Sequence, residues 1–192
     1  VGSSGAPGGR TPHAGLRFVL VCLLVLLSGA CGTPAADAPH NDTDVMFLQM
    51  GLAQIAEGER LAGIAEAGAG NTEIRTIAAE LRTQWSAEAA TMRDWLRGWG
   101  RPEAADPSAG AHAGHGDLHA LREEDFQGLS GHRGADFDRA AVALLLGNLH
   151  NGMETIRMEV AGGSYPRAVD LAERMRAARQ KQIQRLLALA AG

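Results

Sequence analysis

Histidine is concentrated in one stretch of this chain. His112-Ala113-Gly114-His115-Gly116-Asp117-Leu118-His119, with His132 further on, holds four of the seven histidines in the sequence. Imidazole suits Cu(II), Zn(II) or Ni(II), and a glycine-rich segment can wrap a single ion. If this stretch were helical, His115 and His119 would share one side, at i and i+4. His112, His115, His119 and His132 are therefore the candidate metal ligands, with copper the first choice and zinc the second. The plainer alternative is a polar loop that happens to be rich in histidine.

Other reactive groups are less suggestive. A ferritin-like di-metal centre needs Glu on two helices and Glu-x-x-His on the other two. The sequence contains no Glu-x-x-His, so a di-iron oxidase is not expected. Glu57, Glu88 and Glu154 read as solvated faces or as i,i+4 partners of arginine. Met50, Met92, Met153, Met158 and Met175 carry thioethers that can bind Cu(I), but methionine at helical spacing more often fills gaps in a core. Both cysteines, Cys22 and Cys31, lie near the N-terminus, which excludes a disulfide, a zinc-thiolate site or Cys-His chemistry further along. No G-x-S-x-G or phosphate-binding glycine loop occurs, so an enzyme is not expected. The net charge of −4 gives no strong attraction for nucleic acid. Trp85, Trp95 and Trp99 gather late in one segment. Trp85 fits an apolar stripe. Trp95 and Trp99, one turn apart, read either as an exposed patch for a partner or, for Trp95, as a wedge between helix and linker.

These residues need a scaffold, and the composition points to helices. Hydrophobic residues make up 45% of the chain but aromatics only 4%, so the apolar content is chiefly aliphatic and small. The N-terminus reads as an export leader over 1–30. Arg10 and Arg17 precede the apolar run Phe18 to Leu27, and the small residues Ser28-Gly29-Ala30 precede Cys31. Two cleavage readings compete. One is a lipobox with Cys31 as the lipidated first residue, although the usual leucine is displaced by one position. The other is ordinary cleavage after Ala30. We favour lipidation, because Cys31 would otherwise be a lone thiol in an oxidising compartment. Residues 31–41 then form a tether that anchors the exported protein to a membrane. The sequence does not indicate a protein partner.

Beyond the tether, four helices are expected, at roughly 43–67, 72–98, 135–161 and 165–190. Asp42-Thr43-Asp44 caps the first, Asn71 or Thr72 the second, and Ser164 the fourth, which has Pro166 in its first turn. Glycines 68, 70, 98, 100, 162 and 163 end helices. Apolar residues recur at helical steps: Ile74, Ile77, Leu81, Trp85, Met92 and Trp99 in the second, and Val169, Ala172, Met175, Ile183, Leu186 and Ala190 in the fourth. A shift of 138 − 44 = 94 positions superposes the halves without gaps, pairing Asp44 with Asp138, Leu52 with Leu146, Gly58 with Gly152, Gly68 with Gly162, Ala78 with Ala172 and Met92 with Leu186. The expectation is an all-α, antiparallel four-helix bundle over 42–192. It is built from two repeated helical hairpins, 42–99 and 135–192, joined by a linker over 100–134. Within the linker, Leu118 to Phe126 should form a short helix capped by Asp117.

Three segments carry a family likeness: Asn41-Asp42-Thr43-Asp44-Val45-Met46-Phe47-Leu48-Gln49, then Glu88-Ala89-Ala90-Thr91-Met92-Arg93-Asp94-Trp95-Leu96, then Gly134-Ala135-Asp136-Phe137-Asp138-Arg139. Over residues 41–190 the chain resembles the family known as domain of unknown function number 305. The resemblance implies a ferritin-like fold and a secreted or lipid-anchored protein. It also implies a His-His pair in the first helix of each repeat, and a link to copper in some members. Here Gln54-Ile55 and Asn148-Leu149 stand where those pairs should be, and His150 falls one residue late. An amide is a poor ligand for a soft or borderline metal, so these positions read as a hydrogen-bonded amide pair or as a remnant polar site.

Overall fold

A computed structural model of the chain describes residues 1–5, 39–105 and 121–191. Cys31, the apolar run of the expected leader, Asp117 and the histidines at 112, 115 and 119 lie outside the described residues. The chain divides into two units, Val1–Asp37 and Ala38–Gly192, and every described helix belongs to the second.

Among the described residues there are five helices and no strand: α1 (Asp42–Gly68), α2 (Thr72–Gly98), α3 (Glu123–Gly131), α4 (Gly134–Gly162) and α5 (Pro166–Ala190). Four of them match the expected long helices to within a residue or so. The caps differ. Asn41, one residue earlier than expected, opens α1. Its side chain accepts from the Asp44 backbone N–H at 3.0 Å, and Asp44 reaches back to the Asn41 N–H at 2.7 Å, which makes a closed capping box. Asn71 caps α2 by accepting from Glu73 at 2.8 Å. Trp99 is the C-cap of α2, and Gly100 follows with φ +64, a left-handed backbone that glycine adopts without strain. Ser164 is not the cap of α5. Tyr165 holds that position with no side-chain cap of its own, and Pro166 takes the first turn, where its missing N–H costs nothing.

The short helix lies five residues later than expected. It starts at Glu123 rather than Leu118, because Asp125 accepts from the Arg122 N–H at 2.8 Å and so sets the first turn there.

Helix α1 packs on both α2 and α4, α4 packs on α5, and α3 rests on α4 and α1. The result is an all-helical bundle. Its core is aliphatic, with Leu48, Leu61, Ile77, Leu81, Leu145 and Leu186 fully covered; each such side chain stabilises the fold by about 1.5–3 kcal/mol. Of the methionines, Met92, Met153 and Met175 are buried in this core. On α5 the buried face departs from the expected stripe. Ala190 is exposed and Val169 half-buried, while Ala168, Leu171, Arg179 and Gln182 point inward.

Candidate functional site

Midway along α1 and α4 the apolar core is interrupted by amides. Asn148 is buried and donates through Nδ2 to the backbone oxygen of Gln54 at 3.3 Å and to Glu57 Oε2 at 3.1 Å. Gln54 donates to the hydroxyl of buried Thr155 at 3.0 Å. Gln54 and Asn148 are thus coupled across the two helices. Ile55 and Leu149, their neighbours in sequence, are ordinary core residues, 3% and 1% exposed. Gly58 gives Asn148 room: a Cβ there would fall 2.7 Å from Asn148 Oδ1, whereas one on Gly152 would make an ordinary contact, 3.6 Å, with Gln54 Oε1. A cavity of about 10 Å3, room for a single water, lies between Gln54, Asn148, Thr155, Trp85, Met175 and Arg179.

Charge enters this layer from the opposite helices. Arg179 of α5 grips Glu88 of α2 through two hydrogen bonds, 3.1 and 2.6 Å, with both side chains more than nine-tenths covered. Beside them Gln182 donates to Gln84 at 2.7 Å, and Gln84 donates to Glu88 at 2.7 Å. Nearer the start of α2, Arg185 bridges Glu73 and Glu80. Glu88 is therefore not a solvated carboxylate, as its sequence setting suggested. Glu154 is one, paired with Arg157 at i,i+3 on the surface.

Glu57 has a different role. Its carboxylate accepts from Asn148 and from the backbone N–H of Leu121, the first described residue after the histidine-rich stretch. Burial pushes the Glu57 carboxyl above its usual range, against the pull of these two donors. Arg60, one turn on, forks onto Glu123 at 2.7 and 2.9 Å and lies over the Phe126 ring. The returning linker is therefore fastened beside Asn148. His132 ends α3 and is exposed. Among the described residues, no three His, Cys, Asp or Glu side chains come together in a way that could hold a metal ion.

The tryptophans are not an exposed patch. Trp95 and Trp99 both pack edge-on against buried Tyr165, with ring centres 5.5 and 5.1 Å away, and His40 stacks on Trp99 at 4.1 Å. Trp95 wedges α2 against the turn between α4 and α5 rather than against the linker.

The family described as Domain of unknown function (DUF305) matches residues 44–190. The chain belongs to this family. No curated protein matches the chain. Among solved structures, a DUF305 protein from Streptomyces coelicolor is similar with a TM-score of 0.70 at 18% identity, over 82% of this chain and 93% of that one. A DUF305 fragment from Deinococcus radiodurans has a TM-score of 0.69 at 18% identity, over 80% and 98%. CopM in the Cu(II)-bound form has a TM-score of 0.65 at 18% identity, over 77% and 95%. At this identity the likeness extends to the fold.

Paired imidazoles, which the family likeness implied, are replaced here by Gln54-Ile55 and Asn148-Leu149, and both amides are committed to internal hydrogen bonds. The residues at these positions do not fit a copper site. Sequence reasoning missed Arg179, Thr155 and Glu159 altogether. A charged residue on the apolar side of α5's period, as at Arg179, was the one available signal.

Proposed function

We propose that this DUF305 protein is an exported envelope protein that binds and buffers copper, with zinc the second choice, through the linker histidines His112, His115 and His119 and with His132 contributing. The proposed scaffold is an antiparallel, ferritin-like four-helix bundle of two repeated hairpins. In this reading residues 1–30 are the leader and Cys31 carries the lipid that holds the protein at the membrane. One observation carries the metal reading: four of the seven histidines fall at 112, 115, 119 and 132; Glu57, beside Asn148, holds the N–H of Leu121, two residues after the third of them. The similar fold of CopM in the Cu(II)-bound form supports copper as the ion to test first, and the Streptomyces coelicolor relative, described as secreted, supports export.

A second reading is favoured by the closed hydrogen bonding of Gln54 and Asn148. In it the chain is a structural or interaction domain whose ancestral histidine sites have decayed.

Titration of Cu(II) into the protein, and into a variant with His112, His115, His119 and His132 all changed to Ala, separates the two readings. The copper reading expects tight binding that the variant loses. Equal affinity, or no copper retained after dialysis, favours the second.

A further inference from the structure

Two carboxyl groups that take no part in the copper reading meet where α1 begins and α4 gives way to α5. Asp44, in the first turn of α1, and Glu159, in the last turn of α4, are both 0% exposed. Asp44 is surrounded by donors. It accepts from the backbone N–H groups of Asn41 at 2.7 Å, Ser164 at 3.1 Å and Tyr165 at 3.0 Å, and the Ser164 hydroxyl lies 3.0 Å away. Such directed bonds stabilise the ionised form. Although burial acts in the other direction, the N–H groups of Asn41, Tyr165 and Ser164 hold the Asp44 carboxyl below its usual range.

Glu159 has the reverse surroundings. Neither of its oxygens meets an N–H or O–H donor among the described residues. It lies at the carbonyl end of α4, where the helix dipole disfavours a negative charge. It is folded against Gly163, whose Cβ would fall 2.6 Å from the Glu159 carboxyl carbon, so only glycine leaves space for it. Asp44, the group that faces it, is an acceptor, so a hydrogen bond between them requires Glu159 to supply the proton.

We propose that Glu159 is a buried proton-binding site, a carboxylic acid that donates to the Asp44 carboxylate, and that this proton latches the α4–α5 turn to the start of α1. Burial first, then the hydrogen bond to Asp44 and its charge, push Glu159 up to about 8. The proton is retained through neutral pH and leaves in mildly alkaline solution. Its loss puts two carboxylates side by side away from water, and the corner must open to hydrate them. The chain leading into α1 is tied to the same corner. Asn41 Nδ2 donates to the Gly162 oxygen at 2.8 Å, and the Ser164 hydroxyl, which has one proton to place between Asp44 and Pro39, lies 3.2 Å from the Pro39 oxygen. The latch therefore controls how firmly residues 39–41 are seated.

Other titratable or charged groups surround the corner on each side. His40 stacks on Trp99, Asp42 pairs with Arg101, and Arg167 donates to the Tyr165 hydroxyl, while α2 presents Trp95 and Trp99. Asp44 is the charged group that acts on Glu159. A natural comparison lies 159 − 65 = 94 residues earlier, where Ala65 stands in place of Glu159. There Asp138 holds the α1–α2 turn with no carboxyl partner, so the turn itself does not need the acid.

The test is a carboxyl carbon NMR titration of the chain, with amide exchange at Ser164 and Tyr165 and urea unfolding from pH 5 to 9. The Glu159 carbon is expected to titrate near 8, and protection at the two amides to fall above that pH. The folded pKa lies above the unfolded one. Its stabilisation is therefore complete below the unfolded value and is lost as pH rises toward 8, with the folding constant falling up to tenfold per pH unit. Glu159→Gln, whose amide can still donate to Asp44, is expected to remove that slope and keep the amides protected. A Glu159 carbon that titrates in the ordinary carboxylate range overturns the proposal, as does a Glu159→Gln variant with the wild-type pH profile. If that variant does not fold, the titration of the unmodified chain decides alone.

Discussion

Asp44 and Asp138, 94 residues apart, hold the two turns of the bundle by the same bond pattern. Asp138, at the start of α4, accepts from the N–H groups of Gly70 and Asn71 at 2.8 and 2.9 Å. Asp44, at the start of α1, accepts from those of Ser164 and Tyr165 at 3.1 and 3.0 Å, and 164 − 70 and 165 − 71 are again 94. A third contact obeys the same shift: Gly68 lies under Phe137, and Gly162 lies under Thr43. Each helix pair thus grips the turn of the other, which explains how two hairpins dock in one register and supports the duplication proposed above.

Removing these aspartates should give unequal losses. Asp138 is half-buried and its two bonds are near water, so Asp138→Ala should cost about 1–2 kcal/mol. Asp44 is fully covered and also closes the capping box, so Asp44→Ala should cost about 3–4 kcal/mol, the cap plus buried N–H groups left unpaired. Urea unfolding of both variants measures the difference. Equal losses would mean that burial is not what separates the two turns.

Arg179 and Glu88 form the one ion pair with both partners covered among the described residues. A buried pair offsets its own desolvation only while it is intact. Arg179→Met should cost about 3–5 kcal/mol by leaving Glu88 charged and unpaired, and Arg179→Met with Glu88→Leu should recover most of that loss. A double-mutant cycle in urea gives the coupling directly. A double variant no more stable than the single one would show that packing on Trp85, 5.8 Å from the Arg179 guanidinium, matters more than charge.

The long helices were legible in the sequence because apolar spacing, asparagine caps and glycine stops agree in each of them. Ile74, Ile77, Leu81, Trp85, Met92 and Trp99 were read as one stripe; the first five are buried, and Trp99, past the last turn of α2, is half-buried. The α5 stripe was read less well, since Arg179 and Gln182 occupy inward positions that apolar periodicity skips. The start of α3 was misread because no capping side chain marks it: Arg122 stands at the N-cap, and the first turn is set from inside by Asp125, which accepts from the Arg122 N–H. The amide layer was visible as two family positions with the wrong residue type. Its partners Thr155 and Glu57 come from other turns of the helices and have no local signature. The linker histidines at 112, 115 and 119 lie outside the described residues, so their reading rests on sequence.

Glycines in α1 should respond in opposite ways to a methyl group. At Gly58 a Cβ would fall 2.7 Å from both Asn148 Oδ1 and the Trp85 ring, so Gly58→Ala should destabilise by about 1–3 kcal/mol through overpacking. At Gly63 nothing lies within 4 Å, and the helix interior favours alanine, so Gly63→Ala should stabilise by about 0.5–1 kcal/mol. Thermal melts of the two variants carry opposite signs if the amide layer is as close-packed as described.

Glu57→Ala should loosen the returning linker while leaving the bundle folded. The carboxylate fastens the Leu121 N–H, and Arg122, the next residue, is an exposed tryptic site. Proteolysis needs a segment to leave its bonds and enter the protease, so cleavage after Arg122 reports how often that fastening opens. Asn148 keeps its bond to the Gln54 oxygen in the variant, which limits the loss in the core. The expected outcome is faster cleavage at Arg122 with the helical signal retained. An unchanged rate would assign the hold to Arg60, through Glu123 and Phe126, and Arg60→Ala should then produce the faster cleavage instead.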